Sequence, residues 1–139
     1  MSGNGTVPKS QLSVTSTNGT NGTTFTIQSP VQGYTTPTWE SVLLSPGNNN
    51  VKTVTVQPVD SLGNPVGSPQ TIVVTDPTQP INFNFNTPVT ADKLVVTLTP
   101  INASLPITAD IVDVYACLPA PGIYIMIRLI LLIRFCIEL

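Results

Sequence analysis

Ile81-Asn82-Phe83-Asn84-Phe85-Asn86 is the stretch on which the reading of this chain turns. Strict alternation puts Ile81, Phe83 and Phe85 on one face and three asparagines on the other, as in a strand with one side in a core and the other in water. The same period recurs in both directions from it. Lys93–Thr99 carries Leu94, Val96 and Leu98 on one face, and Lys52–Gln57 has Val54 and Val56 as its inward pair. Further β-rich runs lie at Leu12–Thr17, Thr24–Gln28, Ser41–Leu44, Thr71–Thr75 and Ile107–Cys117, and no stretch before residue 122 has a helical period.

Turn chemistry fills the gaps. Asp60-Ser61-Leu62-Gly63-Asn64-Pro65 sits between two Val/Thr runs and predicts a hairpin, Asn18-Gly19 and Asn21-Gly22 are turn dipeptides, and Ser45–Asn50 reads as a loop. Pro77, Pro80, Pro88, Pro100 and Pro106 fall at run boundaries, where a missing N–H costs no ladder bond. About eight short strands at such spacing predict an all-β fold, an antiparallel β-sandwich or jelly roll.

Composition narrows the chemistry. The 139 residues include 14 prolines, 2 cysteines and no histidine, only 9% are charged, and the formal net charge is −2. Lys9, Lys52 and Lys93 are the only basic residues before 122, too dispersed for the counterion displacement that nucleic-acid binding needs. Without histidine, Ser-His-Asp and Cys-His catalysis and histidine-ligated zinc are excluded. Asp110 and Asp113, three apart on one expected strand, should point to opposite faces, which makes no acid/base pair. Asp60, Asp76 and Asp92 read as turn formers. The chain is therefore not expected to be an enzyme, and no metal or cofactor is expected.

The composition also divides the chain. Residues 1–10 read as a flexible N-terminal tail, 11–118 as the β-sandwich module, 119–122 (Pro-Ala-Pro-Gly) as a break, and 123–139 as a hydrophobic tail. This tail accounts for much of the positive mean hydropathy of +0.28. It is short for a membrane span and carries Arg128, Arg134 and Glu138, yet a membrane anchor is one reading of it. The other is a segment foreign to the domain, from a truncated or mispredicted gene model. Met1–Ser10 has no apolar core of a signal peptide.

From Val51 to Cys117 the order of features is recognisable. A Val-rich strand leads into Asp60-Ser61-Leu62-Gly63-Asn64, then come Ile81–Phe85, Pro88-Val89-Thr90-Ala91-Asp92-Lys93-Leu94 and a last strand ending Tyr115-Ala116-Cys117. This resembles the C-terminal half of a discoidin-like β-sandwich (coagulation factor 5/8 type C-like, galactose-binding-like), in the divergent form found in mucin-like secreted proteins. The resemblance implies an extracellular or cell-surface adhesion or binding module with glycans or extracellular matrix as partners. It also implies a cysteine near the domain start, and residues 1–116 hold none, so no disulfide is expected for Cys117 and a fragment, or a variant lacking the staple, is suggested. Cys136 lies beyond the Pro/Gly break.

For carbohydrate, exposed aromatics stack on sugar faces and polar loop residues read the hydroxyls. Tyr34, Trp39 and the loop residues Asn48, Asn49 and Asn50 are the candidate set. The competing reading makes Trp39, just before Glu40-Ser41-Val42-Leu43-Leu44, the core anchor of the sandwich, and the chain a structural module without a ligand site. Four sequons, at Asn4, Asn18, Asn21 and Asn102, are candidate glycosylation sites in expected loops or the tail.

Overall fold

Period-two alternation becomes two packed sheets. The computed structural model describes residues 6–8, 13–19, 22–28 and 36–117. Within them lie β1 (Thr6–Pro8), β2 (Ser13–Gly19), β3 (Gly22–Gln28), β4 (Thr38–Pro46), β5 (Val51–Val59), β6 (Gln70–Val73), β7 (Ile81–Thr90), β8 (Lys93–Pro100) and β9 (Ala109–Cys117). All pairings are antiparallel, in a four-stranded sheet of order β1-β9-β4-β7 and a five-stranded sheet of order β2-β3-β8-β5-β6. No helix occurs among the described residues. The fold is an all-β sandwich, as the alternation predicts.

Each expected run contains a strand, with bounds shifted by a few residues; Ser45 and Pro46, expected in a loop, close β4, and there are two further differences. Residues 6–8, assigned from sequence to the tail, pair with β9 through Thr6↔Tyr115 and Pro8↔Asp113. β7 continues past Asn86 to Thr90, so Pro88 lies inside a strand and not at its boundary. β7 is an edge strand, where one side of the backbone has no ladder to break.

The inner faces meet in one apolar cluster. Trp39, Val42, Leu44, Ile81, Phe83, Phe85, Ile111 and Val114 come from the four-stranded sheet, and Phe25, Ile27, Val54, Val56, Leu94, Val96 and Leu98 from the other. Phe83 and Phe85 stack edge to face, with centroids 5.1 Å apart and planes at 85°. Each such side chain removed from water is worth about 1.5–3 kcal/mol. Threonine pairs are worth less, about 0.2–1 kcal/mol, so the core dominates. The threonines instead add uncharged polar groups to the outer faces: Thr55 pairs with Thr71 (2.8 Å), Thr38 with Thr90 (2.9 Å), and Thr53 with Thr99.

Turns follow the local chemistry. Asp60 closes the β5–β6 hairpin: its carboxylate accepts from the N–H groups of Leu62 (2.9 Å) and Asn64 (2.8 Å) and from Asn64 Nδ2 (2.9 Å). These bonds, the Asn64 side chain's first, hold its carboxyl below the usual carboxylate range. Gly22 opens β3 at φ 143°, and a Cβ there would stand 2.0 Å from the Leu98 carbonyl oxygen on β8. Gly22→Ala is therefore expected to destabilise the domain by more than about 1 kcal/mol, seen as a lowered urea midpoint at unchanged slope. A midpoint equal to wild type would refute this.

Candidate functional site

Of the residues expected to read sugars, Trp39, Asn48 and Asn50 make bonds that brace the fold. Trp39 is 0% exposed, and its Nε1 donates to the Ala91 carbonyl at 2.7 Å, so it offers no face to a ligand and is the core anchor. Asn50 is 5% exposed. Its Nδ2 donates to the carbonyls of Asn102 (3.2 Å), Leu105 (3.1 Å) and Pro106 (3.4 Å), and its Oδ1 accepts from Asn102 N–H (2.8 Å). Asn48 also uses both ends, donating to the Pro106 carbonyl (2.8 Å) and accepting from Thr108 N–H (3.1 Å). These two asparagines tie the loop after β4 to the loop before β9, so both side chains already have partners within the chain. Asn49 is exposed, at φ 57°, and Tyr34 lies outside the described residues.

Among the sequons, Asn18 sits in β2 and Asn102 in the exposed loop between β8 and β9, while Asn4 and Asn21 lie outside the described residues. Cys117 closes β9 in the backbone, and Cys136, with all of 123–139, is likewise outside.

A polar hollow forms elsewhere, on the outer face of the four-stranded sheet. Its cause is a register break. Trp39 faces Val89 and Ser41 faces Asn84 on β7, so residues 85–88 stand against the single residue Glu40. On the other side Trp39 faces Ala116 and Ser41 faces Tyr115, which makes Glu40 the extra residue of a β-bulge. The resulting concavity of about 510 Å³ is lined by Glu40, Ser41, Asn82, Asn84, Phe85, Asn86, Pro88 and Tyr115. The three asparagines are exposed, Glu40 and Tyr115 half-buried, and Ser41 is buried.

This lining is chemically coherent. Each carboxamide brings two donors and a carbonyl acceptor, the phenol and the serine hydroxyl do both, and no Lys or Arg is present. Partial burial pushes the Glu40 carboxyl up. Such a surface suits a neutral, hydroxyl-rich ligand better than an anion. Its signal was already in the alternation of Ile81–Asn86, whose asparagines share the outer face, but the hollow itself comes from the bulge.

A second bulge changes the reading of two acids. Leu43 faces Asp113 and Leu44 faces Ile111, leaving Val112 as an extra residue in β9. Asp110, opposite Ser45, and Asp113 therefore lie on the same outer face, not on opposite ones. Among the described residues no three His, Cys, Asp or Glu side chains group as metal ligands, and no helix is long and apolar enough to cross a membrane.

The fold and the hollow define an all-β sandwich with an asparagine-lined outer face. No family model and no curated protein matches the chain.

Proposed function

We propose that this chain is a non-catalytic β-sandwich module of an extracellular or cell-surface, mucin-like protein, and that it binds neutral glycans on its asparagine-lined face. The observation that supports this is the convergence of Asn82, Asn84, Asn86, Ser41, Glu40 and Tyr115 on one hollow free of cationic side chains. The discoidin-like resemblance over Val51–Cys117 points to the same class, as an analogy of fold. The binding surface proposed is the sheet face and not the Asn48–Asn50 loop.

A glycan array followed by calorimetric titration of the full chain tests it. Asn84→Ala and Tyr115→Ala are each expected to weaken binding about tenfold or more, which is ~1.4 kcal/mol. Asn49→Gly, at a position whose positive φ glycine accepts, should bind as wild type. Loss of binding in Asn49→Gly alone would return the site to the loop. The second reading is a structural module, favoured by the bracing roles of Asn48 and Asn50 and by the buried Trp39. A screen that finds no glycan would leave that reading in place. Tethering to a membrane through residues 123–139 is a third proposal, decided by fractionation after a carbonate wash.

A further inference from the structure

We propose that Asn102 is an N-glycan acceptor, and that the first sugars cover the two exposed aliphatic side chains beside it. The argument begins with what the fold does to the Asn102-Ala103-Ser104 triplet. Asn102 is held through its backbone: its N–H donates to Asn50 Oδ1 (2.8 Å), and its carbonyl accepts from Asn50 Nδ2 (3.2 Å) and Leu105 N–H (3.1 Å). Its own Oδ1 accepts from Ser104 N–H at 2.9 Å, closing an Asx turn across the triplet. Nδ2, the atom to be modified, has no partner among the described residues, and neither has the Ser104 hydroxyl. All three residues are exposed.

The β2–β3 hairpin treats its sequons differently. Thr23 supplies the hydroxyl of the Asn21 triplet, yet Thr23 is only 5% exposed and its hydroxyl donates to Asn18 Oδ1 at 3.0 Å. One sequon's hydroxyl is thus bonded to another sequon's asparagine. At Asn102 the turn orients the acceptor without consuming it.

A second observation is independent of hydrogen bonding. Ile101 is 56% exposed and Leu105 54% exposed, flanking Asn102 in the same loop. The apolar faces of the first sugars would shield these two side chains.

The step is a group transfer from a lipid diphosphate-linked oligosaccharide. Nδ2 forms a bond to the anomeric carbon, the carbon–oxygen bond to the diphosphate breaks, the lipid diphosphate leaves with the electron pair, and one amide proton is released to solvent.

The test directs the full chain, behind a cleavable signal peptide, into the secretory pathway of a eukaryotic cell. Glycopeptides from the whole lysate are released by peptide N-glycosidase in ¹⁸O water. The expected result is an ¹⁸O-labelled aspartate at position 102. The label should vanish in Ser104→Ala, which keeps the Asn102 Oδ1 to N–H bond and so the turn, and persist in Ser104→Thr. A wild-type peptide unmodified at 102, or an equal label in Ser104→Ala, overturns the proposal. Glycan binding at the sheet face is read separately by titration of unglycosylated, bacterially produced chain, so the two proposals fail independently.

Discussion

Trp39→Ala is expected to cost about 3–5 kcal/mol, the range for emptying a buried aromatic site. That is a large share of the roughly 5–15 kcal/mol that holds a typical domain folded, so the variant should unfold at a much lower urea concentration than wild type. The side chain is fully buried between the sheets at the start of β4. Its Nε1 also ties β4 to Ala91, in the short connection between β7 and β8. Trp39→Phe separates the two roles, because it keeps most of the bulk and leaves the Ala91 carbonyl without its donor. A loss of about 1–3 kcal/mol is expected there, the cost of a buried polar group left unmade. Urea denaturation followed by circular dichroism gives both values. Equal losses in the two variants would show that the hydrogen bond, and not packing, is what Trp39 supplies.

Asn50 should be the most sensitive polar position. Asn50→Ala removes one accepted hydrogen bond and the two N–H donors shared among three carbonyls at a buried site. At roughly 0.5–1.5 kcal/mol net each, with part recovered by water at the loop, a loss of about 2–4 kcal/mol is expected. Asn50→Asp has nearly the same shape and replaces the amide donors with oxygen facing three carbonyls. Burial and those carbonyls disfavour the charged form, which raises the folded-state pKa above the unfolded value of about 3.9. The folded state then binds more protons than the unfolded one, so stability falls as the pH rises through that interval. Denaturation well below and well above about pH 4 should show Asn50→Asp losing stability at the higher pH, with Asn50→Ala changing much less. Parallel pH profiles for the two variants would contradict the assignment.

The strands were legible because their cause is local. Ile81–Asn86, Lys93–Thr99 and Lys52–Gln57 alternate by two, and a half-buried strand is the structure that such alternation satisfies. The Asp60 turn was legible for the same reason, since all its bonds close within a few residues. The outward asparagines of β7 were visible, but not as a hollow. That required the Glu40 bulge, which depends on how β4 registers against β7 and β9 at once. The Val112 bulge likewise reversed the expected relation of Asp110 and Asp113, because a rule of alternating faces fails wherever one strand carries an extra residue.

Asn48 and Asn50 show the same boundary. An asparagine in a loop has identical bonding capacity whether its partner is a sugar hydroxyl or a carbonyl of its own chain. Their partners lie 52 to 60 residues away, and nothing within the Ser45–Asn50 loop marks them. From sequence alone came the fold class, the core faces and the turns, each set by interactions spanning a few residues. Tertiary structure alone decided which polar groups were already engaged and where the sheet curves into a hollow, because both follow from pairings between segments distant along the chain.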